Sequence, residues 1–215
     1  MFNLDLTGLL QNFIIMFAAI TVHEYAHGFV AHKLGDPTAK AMGRLTLNPL
    51  AHLDPLGALM MIFCRFGWAK PVPVNPYYFN NPKKGMVFVS VAGPMANLAL
   101  ALLVATLYPV LIFLLPGLAS VVTVFVTNCI YMNIAFAVFN LIPFPPLDGS
   151  KILFSLLPNE AYNKLLTYER YGTILLLALS FSGVLGKILN VLIYPILSLY
   201  AYWINFLLFL INLIA

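Results

Sequence analysis

The residues in this chain best suited to chemistry are two histidines and a glutamate in the pattern H-E-x-x-H, at His23, Glu24 and His27. On a helix, residues four apart lie one turn apart on the same face, so both imidazoles can point at one ion. Two imidazole nitrogens at this spacing can bind Zn²⁺ at about 2.0–2.1 Å. The glutamate beside them is placed to take a proton from water that the metal activates. The pattern predicts a metal site.

A catalytic zinc usually has three protein ligands and one open position, so a third ligand must come from elsewhere in the chain. The candidates are His32, Asp36, His52, Asp54 and Asp148. His32 lies five residues beyond His27, about 140° round the helix, and therefore points elsewhere. Asp36, His52 and Asp54 lie in segments rich in glycine and proline, where such residues commonly serve turns.

Asp148 differs from the other candidates because three prolines precede it, at the end of an apolar stretch. Proline removes a backbone donor and stops a helix. Non-helical backbone at membrane depth is tolerated only against protein or a water-filled cavity. A carboxylate here indicates such a cavity, in which a nearby metal would offset its charge. The alternative interpretation of Asp148 is a simple turn at a helix end.

Composition shows that lipid must surround these residues. Of the 215 residues, 62% are hydrophobic and 8% charged, and the mean hydropathy is +0.94, whereas a soluble domain carries about 25% charged residues. Disorder is excluded as well, because it needs low hydrophobicity and high net charge. The net charge of +4 comes from basic residues between apolar stretches, which indicates membrane topology rather than nucleic-acid binding. The predicted fold class is an all-α polytopic membrane protein.

The apolar stretches predict a bundle of about five to six transmembrane helices. Three lie at about 6–30, 86–107 and 118–140, with an external turn expected at Pro109 and Pro116–Gly117. After a linker at 151–171, two more stretches lie at about 172–186 and 188–213, broken at Gly186–Lys187.

Two shorter features lie between the first two core helices. Residues 56–64 are apolar but fall short of the roughly 20 residues that a span needs, which favours a re-entrant or surface-lying segment. Residues 71–75 contain alternating prolines, which forbid a helix and permit an edge strand or a turn. We therefore expect a re-entrant segment and a short Pro-flanked β-strand or hairpin here.

The charge distribution predicts a multi-pass protein of the cell membrane. Lys33, Lys40 and Arg44 follow the first span, so the Met1 end should lie outside and the active site toward the cytoplasm. Residues 1–7 carry no Lys or Arg, so the first stretch is expected to be a retained span rather than a signal peptide.

Taken together, the motifs resemble the site-2 protease family of intramembrane zinc metalloproteases. The resemblance covers roughly residues 18–155 and is closest to the small prokaryotic members without PDZ or CBS domains. Its motifs are His23-Glu24-x-x-His27-Gly28, Gly93-Pro94-x-x-Asn97, Asn140 through Pro143 and Pro145-Pro146-Leu147-Asp148-Gly149, and the stretch Gly43 through Gly57.

The resemblance implies roles for particular residues. His23, His27 and Asp148 would bind one zinc ion per chain, with Glu24 as the general base. Asn140 would lie close to the metal, where we hypothesise that its amide hydrogen-bonds the scissile carbonyl or the developing oxyanion.

Two further features are open at this point. Asn97 has a competing interpretation as a helix-packing residue beside the small Gly93. The family places its Pro-flanked strand, here about 71–75, beside the cleft, and an edge strand can pair with an unwound peptide through main-chain hydrogen bonds.

The implied function is hydrolysis of peptide bonds in or near transmembrane segments, known as regulated intramembrane proteolysis, by a membrane-embedded zinc metalloendopeptidase. We expect a single transmembrane metalloprotease domain over 1–215, with a core at about 6–155 and accessory C-terminal helices at about 172–213. The expected partners are the lipid bilayer and a transmembrane or membrane-associated protein substrate, with no nucleic acid. A membrane metal transporter and a non-catalytic membrane scaffold are the alternatives. An intact Glu24 argues against the scaffold, since metal binding alone needs no base.

Overall fold

The computed structural model describes residues 6–64, 68–158, 160–162, 165 and 169–214, and these residues are mostly helical. The helices are α1 (Leu6–Lys33), α2 (Thr38–Ala41), α3 (Pro55–Cys64), α4 (Pro82–Leu114), α5 (Ala119–Leu141), α6 (Asp148–Ser155), α7 (Glu169–Phe181) and α8 (Val184–Ile214). Short 3-10 turns lie at Pro49–Ala51, Pro76–Tyr78 and Pro116–Leu118. Part of the predicted linker at 151–171 lies outside the described residues.

Four helices are long and apolar enough to cross a membrane, namely α1, α4, α5 and α8. This confirms a multi-pass, all-α membrane protein. The expected count of five to six spans is wrong for the described residues. The predicted span at 172–186 corresponds to α7, which has 13 residues, whereas a crossing needs about 20.

The long helices end at other places than the prolines and glycines predict. Helix α4 continues through Pro94 and Pro109, so the turn follows Leu114 instead of beginning at Pro109. Proline is tolerated inside an apolar helix whose neighbours satisfy the freed backbone groups, and Pro109 is fully buried. The last break falls at Gly183, whose φ of +73° suits glycine, and not at Gly186–Lys187.

The segment between α3 and α4 forms no strand within its described residues. Its regular backbone pairing is one isolated antiparallel bridge, between Leu53 and Ala69. The predicted Pro-flanked strand or hairpin is therefore wrong for this part of the chain. The prolines at 71 and 73 lack the N–H groups that a strand ladder requires. Helix α3 has ten residues and is too short to cross; its re-entry into the bilayer stays a prediction.

Helix α4 is the centre of the bundle, in contact with α1, α5, α6 and α8. Its small Ala101 and Ala105 are fully buried and pack with Ile130 and Ile134 of α5 and Ile193 of α8. Small side chains let apolar helices approach closely without the help of water-driven burial. This packing brings α1 and the start of α6 to the same end of α4.

The C-terminal helices pack against the proline-rich loop that leads into α6. Leu147, just before Asp148, is buried with Leu176 of α7 and Leu185 of α8. Gly172 of α7 lies so close to Pro145 that an added Cβ would collide with its backbone and ring. The loop therefore has packing partners from outside the first six helices.

Candidate metal centre

Three of the predicted residues converge at one point in the bundle. His23 and His27 lie on α1, and Asp148 is the first residue of α6. The Asp148 Oδ2 atom lies 3.1 Å from His23 Nε2 and 3.2 Å from His27 Nε2. All three residues are at least nine-tenths buried, and one donor atom from each lies within 4.8 Å of the others.

The second nitrogen of each ring has a partner that fixes its proton. His27 Nδ1 lies 2.7 Å from the Val89 carbonyl oxygen, which can only accept. His23 Nδ1 lies 2.7 Å from Asn97 Oδ1. The Asn97 amide nitrogen donates to a carbonyl of α1 and to Asn133 Oδ1, so its oxygen must face the ring. Both Nδ1 atoms are therefore donors, and in the neutral rings both Nε2 atoms present lone pairs.

This donor set fits zinc. With neutral rings, two nitrogen lone pairs and a carboxylate oxygen face one another, an arrangement that a cation stabilises. In a tetrahedral site with bonds of about 2.0–2.1 Å, ligand atoms lie about 3.3 Å apart. The observed 3.1 and 3.2 Å are close to that separation. Two imidazoles and one carboxylate without a thiolate also match zinc chemistry.

The Gly93–Asn97 motif of α4 supports the two histidines. An added Cβ on Gly93 would lie 2.6 Å from ring atoms of both His23 and His27, so only glycine allows α4 this close to the rings. Asn97 is fully buried and holds His23, which gives it a specific role beyond helix packing. Sequence reasoning missed its partner Asn133; the available signal was a polar residue inside an apolar span.

A cavity of about 330 Å³ opens onto these three side chains. Glu24, Asn140, Ser90 and Lys151 also line it, together with parts of the 70–75 segment. Asn140 donates its amide to the Phe136 carbonyl at 2.9 Å and does not belong to the ligand cluster. It therefore borders the centre without being one of the three converging groups.

The Glu24 carboxylate lies beside the centre and is held by backbone. Its Oε2 atom accepts a hydrogen bond of 2.7 Å from the Val72 N–H. Because prolines at 71 and 73 flank Val72, its backbone is confined to the extended region. The 70–75 segment thus fixes one oxygen of Glu24 and leaves the other available to the cavity.

Two buried charged side chains hold the 70–75 segment in place. Arg44 donates to the carbonyls of Lys70 at 2.7 Å and Pro71 at 3.3 Å. Asp36, fully buried, accepts from the Asn75 N–H at 2.6 Å. These contacts explain Asp36 as a structural residue and exclude it from the metal cluster.

The remaining ligand candidates are also used elsewhere. His52 donates from Nε2 to the Thr46 carbonyl at 2.8 Å. Asp54 accepts from the Gly57 N–H at 2.8 Å at the start of α3. Over the described part of the chain, His23, His27 and Asp148 form the one group of such side chains with metal-binding spacing, and His32 is outside it.

Known proteins resemble this chain over most of its length. Residues 109–186 match the model of peptidase family M50. The chain is 41% identical over 170 residues to a Bacillus subtilis (strain 168) protein provisionally named zinc metalloprotease YwhC, covering 77% of this chain and 78% of that one. It is also 30% identical over 167 residues to Rip2 of Mycobacterium tuberculosis (strain ATCC 25618 / H37Rv), likewise provisionally named a zinc metalloprotease. That match covers 75% of this chain and 62% of Rip2. No solved structure matches the chain.

The match to YwhC, at 41% identity, covers more than three quarters of both chains. It identifies this protein as a membrane zinc metalloprotease. The chain belongs to peptidase family M50, the site-2 protease family. This confirms the family resemblance, the enzyme class and the zinc cofactor expected from the motifs.

Proposed function

We propose that this protease hydrolyses peptide bonds within or beside transmembrane segments of membrane proteins, as in regulated intramembrane proteolysis. The observation that carries the proposal is the position of the His23, His27 and Asp148 cluster, buried where α1 and α4, two helices long and apolar enough to cross a membrane, meet α6. A peptide must enter an apolar bundle to reach this centre, which favours substrates that already lie in the bilayer.

In this proposal His23 and His27 hold zinc through Nε2 and Asp148 holds it through a carboxylate oxygen. The fixed Nδ1 protons and the ligand separations of 3.1 and 3.2 Å support this assignment. When bound, zinc supplies Lewis acidity, which polarises a carbonyl and lowers the pKa of water toward about 7.

Glu24 is assigned as the general base. Its carboxylate accepts the proton of the attacking water and then delivers it to the leaving amine. The Val72 N–H on Oε2 keeps the carboxylate turned toward the cavity. Asn140, which lines the same cavity, is assigned as a donor to the scissile carbonyl.

A transmembrane substrate helix must unwind before cleavage, since its carbonyls are already hydrogen-bonded. Residues that weaken a helix should therefore favour cleavage nearby. Val72 and Val74 line the cavity, so the 70–75 segment offers main-chain groups to the unwound peptide.

We further propose that the Met1 end lies outside and that the cavity faces the cytoplasm. Basic residues lie at one end of α1 and at the start of α4, namely Lys33, Lys40, Arg44, Lys83 and Lys84. Positive charge accumulates on the cytoplasmic side of membrane proteins. In this arrangement water reaches the centre from the basic side. One domain over 1–215 would contain the whole site.

The test is the Glu24→Gln variant, assayed on a single-pass peptide with a helix-breaking residue in its span. We expect zinc content to stay at the wild-type level while cleavage is lost, because the amide cannot accept the proton. The matched control is Glu160→Gln, at an exposed glutamate outside the cavity, which should cleave normally. Full activity of Glu24→Gln, or zinc flux into vesicles that survives the substitution, would contradict the proposal.

A further inference from the structure

One hydroxyl at the centre of the molecule has no hydrogen-bond partner among the described residues. Ser90 of α4 is 1% exposed, and its Oγ atom is unpaired. Helical Ser and Thr hydroxyls commonly donate to the carbonyl one turn earlier. Thr21, Thr123 and Ser198 do so here at 2.7, 2.7 and 3.0 Å. Ser90 has no such bond, so its hydroxyl is available.

Ser90 lies in the wall of the cavity that contains the zinc-binding side chains. It follows Val89, whose carbonyl holds His27, and precedes Gly93, against which both imidazoles pack. Three residues of helix displace Ser90 from Gly93 by about 4.5 Å. An extended peptide advances about 3.3 Å per residue. A peptide that runs along α4 with its scissile carbonyl at the zinc centre would place a neighbouring peptide group beside Ser90.

The polar side chains that line the cavity include acceptors and donors, and the donors besides Ser90 are Asn140, assigned to the scissile carbonyl, and Lys151. Glu24 and Asp148 contribute carboxylates, and the Val72 N–H is already engaged by Glu24. A carbonyl that enters an apolar cavity loses free energy unless it finds a donor. The Ser90 hydroxyl can donate to it at no cost to any existing hydrogen bond.

We infer that Ser90 is a substrate-binding residue, whose hydroxyl donates to the backbone carbonyl of the peptide group next to the scissile bond. The inference rests on the proposed proteolysis, because it needs an extended peptide in the cavity. An unpaired buried hydroxyl destabilises the free enzyme, and the substrate carbonyl removes that penalty on binding. Because the contact is to backbone, it adds affinity for unwound peptides regardless of their side chains.

The experiment compares wild type, Ser90→Ala and Thr123→Val for cleavage of the same single-pass peptide. A neutral hydrogen bond made equally in the ground and transition states affects KM and leaves kcat unchanged. We expect Ser90→Ala to raise KM by about two- to tenfold, the range of one such bond. Its zinc content should match wild type, and its Tm should be no lower, since the lost hydroxyl had no partner.

Thr123→Val is the matched control, because its hydroxyl is satisfied and far along α5 from the cavity lining. It should lower Tm and leave KM unchanged. In the Glu24→Gln background, Ser90→Ala should weaken binding of the intact peptide by the same factor as it raises KM.

Several results would overturn the inference. An unchanged KM for Ser90→Ala would show that the hydroxyl does not touch substrate, while cleavage itself remains established. A joint fall in Tm and zinc content would assign Ser90 a structural role. Cleavage that persists in Glu24→Gln would overturn the proposed function and this inference with it.

Discussion

The cavity has two walls that hold their residues by different means. The helical wall, formed by α1, α4 and the start of α6, carries His23, His27 and Asp148, and Asn97 and a main-chain carbonyl orient its rings. The loop wall is formed by Pro71, Val72 and Val74, and the described residues of their segment form no regular sheet. There Arg44 and other buried charges bind backbone groups directly.

This difference assigns separate tasks to the two walls. Metal ligands need fixed ring orientations, which packed helices with buried amides supply. A proton-transferring carboxylate needs one defined contact and room to reach water, which the Val72 N–H provides to Glu24. Changes to the three clustered side chains, or to the groups that hold their rings, should therefore remove zinc, whereas changes in the loop wall should slow turnover with zinc retained.

The largest expected effect is that of Asp148→Asn in the helical wall. A neutral amide is a poor zinc ligand, so the purified variant should lose its zinc and its cleavage activity together. Metal analysis after dialysis measures this. Asp54→Asn is the control, because Asp54 serves only the start of α3; it should keep zinc at a stability cost of about 1 kcal/mol. If the zinc content of Asp148→Asn equals that of wild type, Asp148 is not a zinc ligand.

Gly93→Ala should come next. Its methyl group would lie 2.6 Å from ring atoms of His23 and His27, so α1 or the rings must move. Displacement of about 1 Å at a catalytic centre costs roughly 100-fold in rate, and zinc affinity should fall as well. Gly186→Ala, where an added Cβ meets nothing within 4 Å, should do neither. Equal activity of the two variants would sink the idea that glycine makes room for the rings.

Asn97→Ala should have an intermediate effect on metal binding. His23 would lose the acceptor of its Nδ1 proton, and loss of such a partner typically costs 10- to 100-fold in metal affinity. Competition with a zinc chelator measures the change. Asn133→Ala, one step further from the ring, should cost less. A larger loss for Asn133 than for Asn97 would contradict this order.

Val72→Pro should have the smallest effect of the four on zinc binding, and it tests the loop wall. Proline removes the N–H that Glu24 accepts while keeping the backbone extended. A hydrogen bond to a charged group is worth about 1.5–3 kcal/mol, so kcat should fall about tenfold or more while zinc stays bound. Val72→Ala keeps the N–H and separates the effect of the side chain. Zinc loss in Val72→Pro would break the division between the walls.

The three residues of the candidate metal site were predictable from sequence to different degrees. His23 and His27 share one helical turn, so their proximity follows from local geometry alone. Asp148 is far away in sequence, and the residues alone left a simple turn at a helix end as its alternative role. The family resemblance was needed to choose between the turn and a metal ligand. The structure places Asp148 beside both histidines, and its role as the third ligand stays a prediction.

Other features depend on tertiary contacts that no local pattern encodes. Asn133 and Ser90 matter because of where α4 packs, and nothing in their neighbours distinguishes them from ordinary polar residues in a span. Pro109 was expected to end a helix, but burial in the bundle lets α4 continue through it. Prolines at 71 and 73 predicted extended backbone, yet without donors they could not build a ladder.

The contact of Gly172 with Pro145, and of Leu176 and Leu185 with Leu147, has a consequence for the two C-terminal helices. They brace the short loop that carries Asp148, so they would help to hold the proposed third ligand in place although they contribute no donor atom. The zinc content of a chain shortened by these two helices would therefore measure how much they stabilise the metal site.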